Sequence, residues 1–149
     1  RIGAANGTQL HRGAAIDLHS AVRGKLKAEQ VHRTVVFRLD VSCTRQVGGL
    51  IEAGLAHAFV HVTGGGLPGN TPRVLPDGLE ADIDYGAWER PALFQLIQRL
   101  GDVPEADMRR TFNLGIGLVA VVPEHAAAEA QAAWEALGER PVLIGRVRG

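Results

Sequence analysis

Nine consecutive residues near the carboxy terminus, "GIGLVAVVP" (115–123), carry no polar side chain at all. A run this apolar, bounded by glycine and proline, reads as a central strand buried on both faces, so its sheet must be covered by helices. Other segments supply the neighbours. Strands are expected at about 57–63, 78–84 and 141–147, and β-branched and aromatic residues mark another in "RTVVFRLDVSC" (33–43). A helix at about 89–100 places Leu93, Phe94, Ile97 and Leu100 on one face, with Pro91 in its first turn and Gly101 at its end. An alanine-rich helix follows at about 123–137, closed by Gly138. Shorter helices are read in "VPEADMRRTFN" (103–113) and in "VGGLIEAGLAHAF" (47–59), the latter ending near Gly54. In "HRGAAIDLHSAVRGKLKAEQ" (11–30), Ile16, Leu18, Val22 and Leu26 form a loose helical stripe. The expected fold is α/β (α+β): a mixed β-sheet covered by helices, in a single domain over residues 1–149.

Charge narrows the partners. Lys plus Arg and Asp plus Glu both number 16, so no basic excess favours nucleic acid. No apolar run approaches the ~20 residues of a membrane span. The one cysteine, Cys43, is read as a plain thiol and points to a reducing compartment. The chain begins at Arg1, without an initiator methionine, and "RIGAANG" lacks the pattern of a secretory signal, so a fragment of a longer protein is expected.

The densest cluster of unusual residues is "HVTGGGLPGNTPRVLP" (61–76). A glycine run after a strand lets backbone N–H groups converge on one point, because no Cβ blocks the approach. Such a concavity binds anions, phosphate above all. Thr63 adds a hydroxyl beside Gly64, Gly65 and Gly66; Asn70 offers an amide, and Arg73 a guanidinium able to pair with phosphate or carboxylate. The "GKS" or "GKT" of a P-loop is absent, and Pro68 and Pro72 argue against a helix after the glycines. The competing reading is a sharp corner between two strands.

In "RRTFNLGIG" (109–117), Asn113 either faces a cavity or caps a turn, and Arg109 and Arg110 either contact phosphate or form a solvated face. His57 and His61 share one strand face about 13 Å apart, too far for one metal ion. Asp82 and Asp84 alternate along a strand, which suits either a divalent ion or plain exposure. No metal site and no catalytic nucleophile is assigned.

These motifs together resemble the carboxy-terminal domain of phosphoribosylformylglycinamidine cyclo-ligase, the aminoimidazole ribonucleotide synthetase family. The likeness rests on "HVTGGGLPGNTPRVLP", "WERPALFQLIQRLGDVPEADM", "RTFNLGIGLVAVVP" and "VLIGRV", in order, from about Leu50 to Arg148. Before that, "ANGTQLHRGAAIDL" keeps Gly7, Leu10, His11 and Gly13 of the family's pattern; Arg109 stands where the family has tyrosine and Leu114 where it has cysteine. The wider superfamily includes selenophosphate synthetase, thiamine-monophosphate kinase, the hydrogenase maturation carbamoyl dehydratase and formylglycinamidine synthetase.

The resemblance implies the carboxy-terminal half of a two-domain enzyme whose amino-terminal ATP-binding domain is absent here. The implied reaction belongs to purine synthesis: ATP phosphorylates the formamide oxygen of formylglycinamidine ribonucleotide, an amidine nitrogen attacks, and aminoimidazole ribonucleotide, ADP and phosphate result. ATP and Mg2+ are implied as cofactors, held mainly by the absent domain. The implied partners are a phosphorylated small-molecule substrate, that missing domain, and a second copy in a cytoplasmic homodimer. Implied substrate or phosphate contacts are His61, Thr63, Gly64, Gly65, Gly66, Asn70, Arg73 and Asn113, and the chain alone is expected to be inactive. Two alternatives stand beside this: a non-catalytic module that binds a phosphorylated ligand or a partner chain, and a related enzyme such as selenophosphate synthetase.

Overall fold

The computed structural model describes residues 34–39 and 44–149. Its sheet has five strands: β1 (Thr34–Leu39), β2 (Ala58–His61), β3 (Glu80–Ile83), β4 (Leu118–Pro123) and β5 (Val142–Arg148), in the order β2-β4-β1-β5-β3. The helices are α1 (Thr44–Glu52), α2 (Gly66–Asn70), α3 (Ala92–Gly101), α4 (Glu105–Thr111) and α5 (Ala127–Ala136). The α/β class and the helical cover are as the sequence implies. The mixed sheet is not: all four described ladders are antiparallel. An apolar run suggests parallel neighbours, but burial on both faces makes any strand apolar, whichever way its neighbours run.

Two crossovers interleave. The β1-α1-β2 unit leaves a gap that β4 fills, and β4-α5-β5 spans β1 in the same way. This is the split β-α-β arrangement of ferredoxin-like folds. Between β2 and β4 the chain makes a long excursion, residues 62–117, which carries α2, β3, α3 and α4.

Alternation along the strands divides the core into two layers. Val35, Phe37, Phe59, Leu118, Ala120 and Val122 face α1 and α5, where Val47, Leu50, Ala130 and Trp134 meet them. Val36, Ala58, Val60, Val119, Val121 and Ile144 face the excursion, which contributes Leu67, Leu75, Trp88, Met108 and Ile116. Every residue of β4 is buried, as a strand covered on both sides requires.

The helix expected at 89–100 forms at Ala92–Gly101, but its apolar face divides. Phe94 and Ile97 pack on the core, whereas Leu93 and Leu100 are 62% and 76% exposed. Phe94 meets Phe112 at 5.5 Å between ring centroids, which turns the leucines outward. The left-handed residue that ends this helix is Asp102, not Gly101. The alanine-rich helix begins later than expected, at Ala127, after a single 3-10 turn over Glu124–Ala126. The helix read at 11–30 lies outside the described residues, as does Cys43.

Trp134 anchors the α1/α5 layer: it is fully buried and meets Phe37 edge-on, ring centroids 5.5 Å apart. Its indole nitrogen has no hydrogen-bond partner. Its contribution is therefore apolar volume. Trp134→Ala is expected to cost about 3–5 kcal/mol. Trp134→Phe should cost distinctly less, because it retains an aromatic ring and removes an unpaired buried donor. Urea unfolding of the two variants measures the difference.

Candidate functional site

The glycine loop leaves the end of β2 and turns at Thr63–Gly66, where the Gly66 N–H donates to the Thr63 carbonyl at 3.1 Å. Gly65, at φ 98° and ψ −11°, has the conformation of the third residue of a type II turn. Contrary to the sequence reading, a short helix does follow. α2 accommodates Pro68 in its first turn, where no intrahelical N–H is needed, and Pro72 opens a separate 3-10 turn, Thr71–Arg73.

Gly66 has a specific reason to be glycine. Its φ is +59°, and a Cβ there would lie 2.0 Å from the carbonyl oxygen of Arg109 and 2.8 Å from that of Phe112. The end of α4 thus sits directly on the glycine loop. This contact joins the two motifs that the sequence presents forty residues apart.

Asn70 is 1% exposed. Its side-chain amide donates to the carbonyls of Gly66 at 2.7 Å, Gly64 at 3.3 Å and Thr63 at 3.5 Å. It therefore holds the loop from its buried side. Thr71, also buried, donates its hydroxyl to the Leu67 carbonyl at 2.8 Å.

His61, Thr63 and Gly64 are exposed on the outer side, as is Arg73 at the end of the 3-10 turn. No ion pair or hydrogen bond of the Arg73 side chain is found among the described residues. Asn113 caps a turn. Its side-chain oxygen accepts from the Gly115 N–H at 3.1 Å, in a turn closed by the Ile116 N–H on the Asn113 carbonyl. Leu114 and Gly115 both have positive φ there, 52° and 94°.

Two clusters near this site are not foreseen by the sequence. Trp88 donates its indole N–H to the Leu114 carbonyl at 3.0 Å, pinning the "NLG" turn from 26 residues away in sequence. Glu105 accepts from Arg90 through both carboxylate oxygens at 2.6 and 3.0 Å, from Arg109 Nε at 2.7 Å and from Gln98 at 3.0 Å. Arg109 also lies 4.0 Å over the ring of Tyr85, which itself packs on Trp88. The arginine pair therefore has structural partners: Arg109 serves Glu105 and Tyr85, and Arg110 pairs with Asp107. The one advance signal is Glu105 at i,i+4 from Arg109.

The carboxylates considered for a divalent ion are otherwise engaged. Asp82 pairs with Arg148 at 2.7 Å, and Asp84 accepts from the Gly86 N–H at 2.8 Å. Among the described residues no three His, Cys, Asp or Glu side chains converge on one point. Beside α2 a cleft of about 330 Å³ opens between Pro68 and Thr71 on one side and the edge strand β3 with Tyr85 and Arg148 on the other. His57 lies half-buried just before β2, and burial, followed by the charge of His125, pushes its imidazole pKa down. No described helix is long and apolar enough to cross a membrane.

Residues 13–149 match the family described as AIR synthase related protein, C-terminal domain. The chain belongs to that family. A phosphoribosylformylglycinamidine cyclo-ligase of Sorangium cellulosum is 61% identical over 122 residues, which cover 82% of this chain and 32% of that protein. One of Anaeromyxobacter sp. (strain Fw109-5) is 42% identical over 95% of this chain and 42% of its own length. The chain thus spans about a third to two fifths of these relatives. A thiamine-monophosphate kinase from Stenotrophomonas maltophilia shares the fold, with a TM-score of 0.53 at 12% identity, over 85% of this chain and 49% of that one.

The Glu105 cluster makes a testable statement about acid stability. Hydrogen bonds from Arg90, then from Arg109 and Gln98, hold its carboxyl at a pKa of about 2, below the ordinary 4.5, although burial acts the other way. A pKa depressed on folding stabilises the protein above the unfolded value, and that contribution is lost as the pH falls through the folded one. The melting-temperature difference between the parent chain and Glu105→Gln should be full at pH 6. It should shrink between about pH 4.5 and 2.

Proposed function

We propose that this chain is the carboxy-terminal half of an ATP-dependent cyclo-ligase that converts formylglycinamidine ribonucleotide to aminoimidazole ribonucleotide. The relation to the Sorangium protein of that name carries the reading, because the matched region includes most of this chain. In this reading the full-length protein is a cytoplasmic homodimer, and the glycine loop receives a phosphate group of a phosphorylated ligand.

The residues present fit a phosphate better than a metal. Gly64 and Gly65 have backbone N–H groups with no acceptor among the described residues, and both follow the exposed Thr63 hydroxyl. Such N–H groups need no side-chain reorganisation to accept an anion. Among the described residues no three carboxylate, His or Cys side chains converge as a magnesium site would need, and Asp82 and Asp84 already have partners. We therefore assign nucleotide and metal mainly to the remainder of the full-length protein. When bound there, the nucleotide supplies the phosphoryl group that activates the formyl oxygen.

This chain's part is to bind and orient. Axial rises of about 1.5 Å per residue in α2 and 2.0 Å in the 3-10 turn set Arg73 up to roughly 12 Å from Gly66. In this reading Arg73 meets a charged group of the ligand. Two fixed points on one ligand hold it in a reactive pose, and full positioning of reactants can lower a barrier by up to about 7–11 kcal/mol.

The test uses the full-length protein and the isolated chain side by side, with ADP release measured in the presence of substrate. The isolated chain should not turn over. In the full-length protein Arg73→Ala should lower kcat/KM by roughly 10–100-fold, the worth of a charge-assisted contact. Arg109→Ala should lower it less, because Arg109 already serves Glu105 and Tyr85. Turnover by the isolated chain, or equal losses in the two variants, would contradict this division of labour. Phosphate binding by an inactive full-length protein would favour a non-catalytic module.

A further inference from the structure

The geometry of Asn70 assigns it a role that its burial conceals. We infer that Asn70 is a positioning residue: it fixes the backbone polarity of the glycine loop so that the Gly64 and Gly65 N–H groups face outward. This rests on the reading of the loop as an anion site, and it adds what makes the loop competent.

A trans peptide unit carries its C=O and N–H in one plane, pointing in opposite directions. The peptides here are trans. Asn70 draws the Gly64 carbonyl inward at 3.3 Å and backs the Thr63 carbonyl at 3.5 Å, which the Gly66 N–H already holds at 3.1 Å. The partner N–H in each of those peptide units belongs to Gly64 and to Gly65. Turning the two carbonyls inward therefore turns those two N–H groups outward. The third and shortest bond, to the Gly66 carbonyl at 2.7 Å, ties the clamp to the first turn of α2.

Glycine makes the loop adaptable, and adaptability is also a weakness. With no Cβ, a peptide between two glycines can rotate and present its carbonyl to the outside instead. An outward carbonyl would repel an anion. The Gly66 N–H fixes the Thr63 carbonyl, but the Gly64 carbonyl, in the peptide between two glycines, needs a donor from the interior, and Asn70 supplies it.

A second observation supports the assignment. The Asn70 side-chain oxygen is buried without a hydrogen-bond partner. An orphan acceptor of this kind costs about 1–3 kcal/mol. An aliphatic side chain of similar size would avoid that cost, yet would leave the loop carbonyls without their donor. The donor end of the amide thus offsets the cost of its unpaired acceptor end. Thr71 offers an internal comparison. It is likewise buried, and its hydroxyl also satisfies a carbonyl, that of Leu67, but its bond ties the 3-10 turn to α2 and orients no peptide of the loop.

The experiment uses 15N-labelled protein and inorganic phosphate as probe. Asn70→Asp keeps the shape and replaces the donor with an acceptor; Asn70→Ala serves if the aspartate variant does not fold. Thr71→Val is the control for loss of a buried hydrogen bond. Without ligand, the Gly64 and Gly65 amide signals and their hydrogen exchange should change in the Asn70 variants and stay near their parent values in Thr71→Val. On titration, the dissociation constant for phosphate should rise by about tenfold in folded Asn70 variants. It should be unchanged in Thr71→Val, despite a comparable loss of stability. Unmoved glycine amides in a folded Asn70 variant would overturn the clamp, as would phosphate affinity equal to the parent's. If the amides move but the parent protein shows no response to phosphate at Gly64 and Gly65, the clamp stands and the loop is not the anion site.

Discussion

The organising constraint is a backbone-to-backbone contact: Gly66 at the start of α2 lies against the carbonyls of Arg109 and Phe112 at the end of α4. Those two points are the entrance and the exit of the excursion between β2 and β4. Closing so long a segment costs chain entropy, and a contact at its neck confines that cost to one place. The neck is also drawn together by the Val62 N–H on the Gly117 carbonyl at 3.0 Å. Everything the excursion carries, from α2 to the "NLG" turn, inherits its position from there.

Polar groups then fix what the neck brings together. Asn70 holds the inner side of the loop, Trp88 holds the Leu114 carbonyl, and Glu105 gathers Arg90, Gln98 and Arg109. The first two are buried, and a buried amide or indole hydrogen bond is costly to break because it leaves its partner unsatisfied. The Glu105 cluster is more exposed, and solvent screens it. The rigid part of the site is thus the loop and the turn, while the arginines of α4 form its outer brace.

Much of this is legible in the sequence. Strands and helices after residue 57 follow directly from their apolar periods, with ends displaced by about one to four residues where a cap or a 3-10 turn intervenes, as before Ala127. Strand direction is not legible, because a strand buried on both faces looks alike in parallel and antiparallel sheets. Nor is the division of the α3 face, since periodicity shows that Leu93 and Leu100 share a side but not which neighbour occupies it. The glycine loop stands out in the sequence, but nothing there separates the glycine demanded by packing, Gly66, from Gly64, which faces open space. The sequence leaves Asn70 and Asn113 as ligand contacts or backbone caps; in the folded chain the side chain of each makes a hydrogen bond to the local backbone. The role of Trp88 has no advance signal, because its partner is defined only by the tertiary fold.

The contact at Gly66 is tested most directly by comparing two glycine-to-alanine variants in urea unfolding. A Cβ added at Gly64 would meet nothing within 4 Å, and its φ is not left-handed, whereas Gly66 has both a positive φ and two carbonyls in the way. Gly66→Ala is expected to lose about 3 kcal/mol or more. Gly64→Ala should stay within about 1 kcal/mol of the parent. Amide signals of Asn113 and Leu114 should shift in the first variant and not in the second. Equal and small losses for the two would show that the neck of the excursion does not depend on this contact.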